Sequence, residues 1–176
     1  MHVIIDGNNL LFAIRDHAAG SLPGRETLVR IVERWAEGAT SRVTLVFDGA
    51  APPPSMQAQM ESTGVEVRFS GTETADDVIV RLVEEAPDPG RVRVISSDHA
   101  VGHAARYRRC KHATCKTFLA ELFRSARRAE DDPAATARQD SAKETAGDAP
   151  PGEWLARFKI DPRELDPGGE YGQELL

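Results

Sequence analysis

Residues 2–10 read HVIIDGNNL, and this stretch sets the fold. Val3, Ile4 and Ile5 form an uninterrupted β-branched run closed by Asp6-Gly7, the pattern of a strand covered on both faces and ended by a turn pair. The same form returns in RVTLVFDGA (42–50) and RVRVISSD (91–98), with a shorter run in VEVRF (65–69). Between these runs the apolar period changes from strand to helix. Leu28, Ile31, Val32 and Trp35 fall at i, i+3, i+4 and i+7, with Gly38 placed to stop that helix. Val78, Ile79, Leu82 and Val83 repeat the period after Thr74, and Phe118, Leu119, Leu122, Phe123 and Ala126 repeat it after Thr114, an expected N-cap. The order is β-α-β-α-β-α-β-α, with a short fifth strand expected near Tyr107 to Lys111. Such alternation predicts a mostly parallel, doubly wound sheet inside a three-layer α/β sandwich.

The rest of the chain fits one such domain. It has 176 residues, 40% of them hydrophobic and 28% charged, and no apolar run approaches a membrane span. The opening run has no basic region or cleavage site before it, so a cytoplasmic location and no membrane partner are expected. Two cysteines, in CKHATC (110–115), make no disulfide framework and read as free thiols. The formal charge of -6 is unevenly placed: residues 1–128 carry 17 Lys and Arg against 16 Asp and Glu, whereas residues 129–176 carry 5 against 12. That second segment, rich in Pro, Gly, Ala and acid, has the composition of a largely disordered tail. Trp154, Leu155 and Phe158 mark one short helix within it, near 153–158.

Open parallel sheets place their sites at the carboxyl ends of the strands. Here those ends are aspartates. Asp6 closes the first strand, Asp48 the second, and Asp98 follows the fourth, while Asp76 and Asp77 open the helix after the third. Taken singly each has a structural explanation: Asp-Gly is a turn pair, Thr74 to Asp77 reads as a capping box, and Asp98 suits an N-cap. Taken together they are costly, because two carboxylates about 4 Å apart repel by roughly 4 kcal/mol at an effective dielectric near 20. A divalent cation removes that repulsion. Oxygen-only donors point to Mg²⁺ or Mn²⁺ and to metal-dependent hydrolysis of a phosphodiester. Asn9, in the loop expected after the first strand, suits either a group that orients a carboxylate or a simple turn former. Cys110, His112 and Cys115 are too few for a structural zinc site, and His99 and His103 read as solvent-facing.

A basic stretch supplies the substrate signal. Arg106 to Arg128 holds eight Lys or Arg against the single acidic Glu121. Arg124, Arg127 and Arg128 suit the end of a helix on dipole grounds alone, so the polyanion signal rests on Arg106, Arg108, Arg109, Lys111 and Lys116. Tyr107 among them reads either as a base-stacking aromatic or as a core residue of the fifth strand.

In combination, VIIDGNNLL, the second strand ending Phe-Asp-Gly, the GTETAD segment (71–76), Ser-Ser-Asp after the fourth strand and the Thr-x-x-x-Phe-Leu helix resemble the NYN domains of the PIN-like nucleases, in particular the YacP-like branch, over residues 2 to 127. The resemblance implies a PIN-like αβα sandwich, Mg²⁺ or Mn²⁺ in an acidic pocket, and endoribonuclease activity, with the ribosome as a partner for some members and no DNA substrate expected. Its acidic positions fall on Asp6, Asp76 and Asp98, then Asp48, and its first asparagine on Asn9. The chain departs from it at Asn8, where relatives often carry an aromatic, and in the acidic tail. A non-catalytic RNA- or ribosome-binding adaptor on the same fold is the alternative; a phosphatase lacks its motifs, since no Gly-rich phosphate loop or Asp-x-Asp is present.

Overall fold

The computed structural model describes residues 1–17, 23–39, 41–60 and 64–131. Its elements run β1 (His2–Asp6), α1 (Gly7–His17), α2 (Arg25–Ala39), β2 (Arg42–Phe47), α3 (Pro54–Gln59), β3 (Val65–Phe69), α4 (Ala75–Glu84), β4 (Val92–Ile95), α5 (His99–Tyr107), β5 (Lys111–Ala113) and α6 (Cys115–Asp131). The five strands form one all-parallel sheet in the order β3-β2-β1-β4-β5. β1 is central. The chain departs from it to one side through β2 and β3 and returns on the other as β4 and β5, so the topological switch lies between β1 and β4.

The apolar runs of β1, β2 and β4 are buried on both faces, and their alternation divides two cores. Val3, Ile5, Val43, Leu45, Phe47 and Ile95 face the layer that holds Leu10, Ile14, Leu28, Ile31, Val32, Phe118 and Leu122, from α1, α2 and α6. Ile4, Val46, Val92 and Val94 face the other layer, with Val78, Ile79 and Val83 of α4 and Val101 and Ala105 of α5. Full burial of each such side chain contributes roughly 1.5–3 kcal/mol, so neither helix layer is an accessory. Trp35 meets Phe118 edge-on, ring centroids 4.8 Å apart, where α2 packs on α6.

Several elements depart from the sequence expectation. α1 begins directly at Gly7 rather than after a loop, which brings Asn8 and Asn9 into its first turn. Close packing requires the glycine here: a Cβ at position 7 would stand 2.5 Å from two ring carbons of Phe47 and 3.0 Å from the Val46 carbonyl oxygen. Gly38 does not stop α2, which continues to Ala39. The fifth strand occupies Lys111–Ala113, not Tyr107 to Lys111. Thr114 does cap α6, its Oγ1 accepting from the Thr117 amide at 3.2 Å. The helix expected at 153–158, and the acidic tail from residue 132 onward, lie outside the described residues. No helix among the described residues is long and apolar enough to cross a membrane.

Candidate active site

The alternation that builds the second core also directs the rim. Ile4, Val46 and Val94 face α4 and α5, and two positions further along each chain stand Asp6, Asp48 and Ser96. α4 opens at the same edge with Asp76 and Asp77, and α5 opens there under Asp98. Sequence period and crossover topology therefore bring the four predicted carboxylates to one rim at the switch point.

Asp6 is its anchor, 1% exposed at the end of the central strand. Its Oδ1 accepts from the Asn9 backbone amide at 2.9 Å, and its Oδ2 accepts from the Asn9 side-chain amide and from Ser96 Oγ at 3.0 Å. Burial pushes the Asp6 carboxyl above its ordinary range, and these three donors oppose that rise by stabilising the anion. Asn9 therefore holds the carboxylate from the first turn of α1 rather than from a loop.

Asp48 and Asp98 each perform a structural task with one oxygen. Asp48 Oδ1 accepts from the Ala75 amide at 2.7 Å, tying the end of β2 to the start of α4. Asp98 Oδ1 accepts from Ala100 and Val101 amides at 2.6 and 3.1 Å, the N-cap of α5. Asp77 is absorbed by the reciprocal capping box with Thr74 and faces solvent. Asp76 differs from all of these. Among the described residues its side chain makes no hydrogen bond or ion pair, and its carboxyl is pushed up to about 6, first by burial and then by repulsion from Asp98, Asp6 and Asp48.

None of Asp6, Asp48, Asp76 and Asp98 is paired with Arg or Lys among the described residues. The donor set, all oxygen and mutually repelling, fits a hard divalent cation. The side chains do not yet converge on one: among the described residues no three His, Cys, Asp or Glu groups stand close enough to hold an ion. Asp48 and Asp98 are turned toward the amides they cap, each with one oxygen left over, and Asp6 retains one free lone-pair direction on Oδ1.

Two further residues shape the rim that the sequence did not single out. Ser96, fully buried, donates to Asp6 and accepts from the Asp98 amide at 3.0 Å, so one hydroxyl couples two of the carboxylate-bearing segments. Arg25 donates to the Asp48 carbonyl oxygen at 3.0 Å and lies over the rings of Phe47 and Phe69. Its signal was a cation in the first turn of a helix, where the dipole disfavours one.

The basic stretch is split by the topology. Lys116, in the first turn of α6, stands at the carboxyl edge with the aspartates. Arg106, Arg108, Arg109 and Lys111 close α5 and enter β5, which places them toward the amino edge. Arg108 is partly taken up there, its Nη2 donating to the Glu84 carbonyl at 2.8 Å. Tyr107 ends a helix and is 81% exposed, so it is not a core residue. His99 and His103 are exposed, as expected. Cys110 and Cys115 are free and buried in different cores, Cys110 against α4 and α5 and Cys115 against α1 and α2, which excludes the zinc arrangement.

Comparison with known proteins agrees with this architecture. The fold is similar to the crystal structure of a point mutant of Rae1 (YacP) from Bacillus subtilis, with a TM-score of 0.61 and 22% identity over 90% of this chain and 92% of that one. A second crystal structure of Rae1 (YacP) from Bacillus subtilis gives 0.59 and 20% over 78% and 87%. No curated protein matches the sequence. A family model extends the likeness through residues 3–156, past the last described strand and helix. With that match covering most of its length, the chain belongs to the YacP-like NYN domain family and carries a PIN-like nuclease fold.

Proposed function

We propose that the protein is a metal-dependent endoribonuclease whose centre is the rim formed by Asp6, Asp48, Asp76 and Asp98. The observation that carries this reading is Asp76: a half-buried carboxyl without a hydrogen-bond partner among the described residues, repelled by Asp98, Asp6 and Asp48. A stability-driven sequence has no reason to leave it there, since each such contact raises the cost of ionising it. Mg²⁺ or Mn²⁺ bound between these groups would neutralise charge on a phosphodiester and lower the pKa of an attacking water.

The chain's own residues supply position and charge. Asp6, held by Asn9 and Ser96, is a fixed anchor, and Asp76 closes on it from α4. The unused oxygens of Asp48 and Asp98 complete the set after small side-chain rotations, which cost little at a partly exposed rim. Lys116, at the same edge, holds a backbone phosphate at the N-terminus of α6. RNA is the substrate class, and a cytoplasmic location with the ribosome as partner belongs to the same proposal.

The direct test incubates purified protein with single-stranded RNA and Mn²⁺, with and without chelator. Cleavage that needs the metal and is lost in Asp76→Asn supports the proposal; metal-independent or unchanged cleavage overturns it.

The spread of the carboxylates favours a second reading, a non-catalytic RNA- or ribosome-binding adaptor that keeps the fold. The two separate by mass action, because an ion bound only to the folded state raises the melting temperature. An adaptor shows no metal-dependent shift while still binding RNA.

A further inference from the structure

Two turns carry the basic residues of the stretch from Arg106 to Lys116, and only one of them lies at the acidic rim. The other is the turn that closes α5. Cys110 N donates to the Ala105 carbonyl at 2.8 Å and Arg109 N to the Arg106 carbonyl at 2.9 Å, the paired bonds of a Schellman motif. In that motif the residue at Arg109 is left-handed and is usually glycine. Arg109 has φ of 61°, the only non-glycine residue with positive φ among the described residues. An L side chain there is strained, and such strain is retained where the side chain has a use.

The surroundings give the use. Arg106, Tyr107, Arg109 and Lys111 are all exposed within six consecutive positions, and none of the three cations is in an ion pair among the described residues. Arg108 fixes the turn to the end of α4 through the Glu84 carbonyl. Glu84 and Glu85 are exposed at that end, and Arg91, just before β4, adds another exposed cation. Tyr107, between Arg106 and Arg108 in sequence, has 81% of its surface open. Cations flanking an exposed aromatic form a platform for single-stranded nucleic acid, phosphates on the cations and a base on the ring.

Position separates this platform from the rim. α5 starts under Asp98 at the carboxyl edge and ends at Tyr107, nine residues later. At 1.5 Å per residue that is about 13 Å, a gap that roughly four stacked nucleotides bridge, so a strand that engages both ends is longer than a tetramer. We infer that the turn Arg106–Lys111 is a docking surface for single-stranded RNA, separate from the acidic rim and reached by strands long enough to span α5. This rests on the reading of the protein as RNA-directed, and it adds a second site that selects substrate by length.

The test measures binding without cleavage, so that it stands or falls apart from the nuclease proposal. Full-length protein is titrated into a fluorescent uridine 20-mer and a uridine tetramer in EDTA, by anisotropy over a salt series. Tyr107→Ala and the double variant Arg106→Ala, Lys111→Ala should each weaken 20-mer binding about ten-fold, and each lost phosphate contact should reduce the salt slope by about 0.7. Arg109→Gly should weaken binding while leaving the melting temperature equal or higher, because glycine relieves the turn. The parent's preference for the 20-mer over the tetramer should shrink in every variant. Unchanged 20-mer affinity and salt slope in all of them, with the fold intact, overturn the inference. RNA binding that depends on this turn in a protein that cleaves nothing leaves the inference standing and the nuclease proposal refuted.

Discussion

Ser96 Oγ donates to Asp6 Oδ2 across the β1–β4 junction at 3.0 Å, joining the ends of the two strands that flank the switch point. The same oxygen accepts from the Asp98 amide, so the start of α5 is held in register with the buried carboxylate. Replacing Ser96 with Ala should cost about 1–3 kcal/mol, the usual penalty for leaving a buried charged group short of a donor. Urea unfolding measures this directly. Ser96→Thr, which keeps the hydroxyl, should recover part of the loss if the hydrogen bond rather than the volume is responsible.

Asp76 gives the metal-free protein a pH dependence with a defined sign. Its folded carboxyl titrates near 6 and an unfolded one near about 4, so the folded state binds more protons between those values. Stability from this group is present at low pH and is lost as pH rises through about 6. In EDTA, Asp76→Asn should therefore be more stable than the parent at pH 7 and converge with it near pH 4. Thermal melts across that range check it, and an advantage that instead grows toward acid would show the carboxyl to be stabilising.

Gly7 tests the seat of α1 on the sheet. A methyl group at this position meets the Phe47 ring, itself fully buried and stacked near Phe69 at 5.8 Å between centroids. Gly7→Ala should destabilise by about 1–3 kcal/mol despite alanine's better helix propensity. Pairing it with Phe47→Leu should return part of that loss, a coupling that a double-mutant cycle resolves.

The thiols should be silent in the native state. Cys115 is fully buried, and burial, with Asp6 nearby, pushes its thiol up to about 12. Burial raises Cys110 as well. Because the thiolate is the reactive species, both should resist Ellman's reagent at pH 7.5 to 8 and react on unfolding in urea. Fast labelling of Cys115 in folded protein would mean that the N-terminal turn of α6 opens readily.

Much of this was legible in one dimension. The apolar run Val3 to Ile5 and the near-continuous one from Val43 to Phe47, broken only by Thr44, suit strands covered on both faces, so residue order alone pointed to parallel strands with helices on either side. Asp6, Asp48 and Asp98 at strand ends, and Thr74 to Asp77 at a helix start, followed from the same grammar, because crossover helices begin where strands finish. What a helix does sideways is not written in its period. The folding of α1 straight out of β1, which converts Asn9 from a loop residue into the support of Asp6, depends on Gly7 fitting against Phe47 from a strand forty residues away. The coupling of Ser96 to Asp6 spans ninety positions and exists only through the β1–β4 pairing. Direction along the sheet was equally hidden: Arg106 and Lys116 are neighbours in sequence, yet β5 runs between them and carries Lys116 to the acidic edge while Arg106 stays at the other. Local composition fixes which residues are charged and which are buried; the sheet decides which of them meet, since only its pairing order relates distant segments in space.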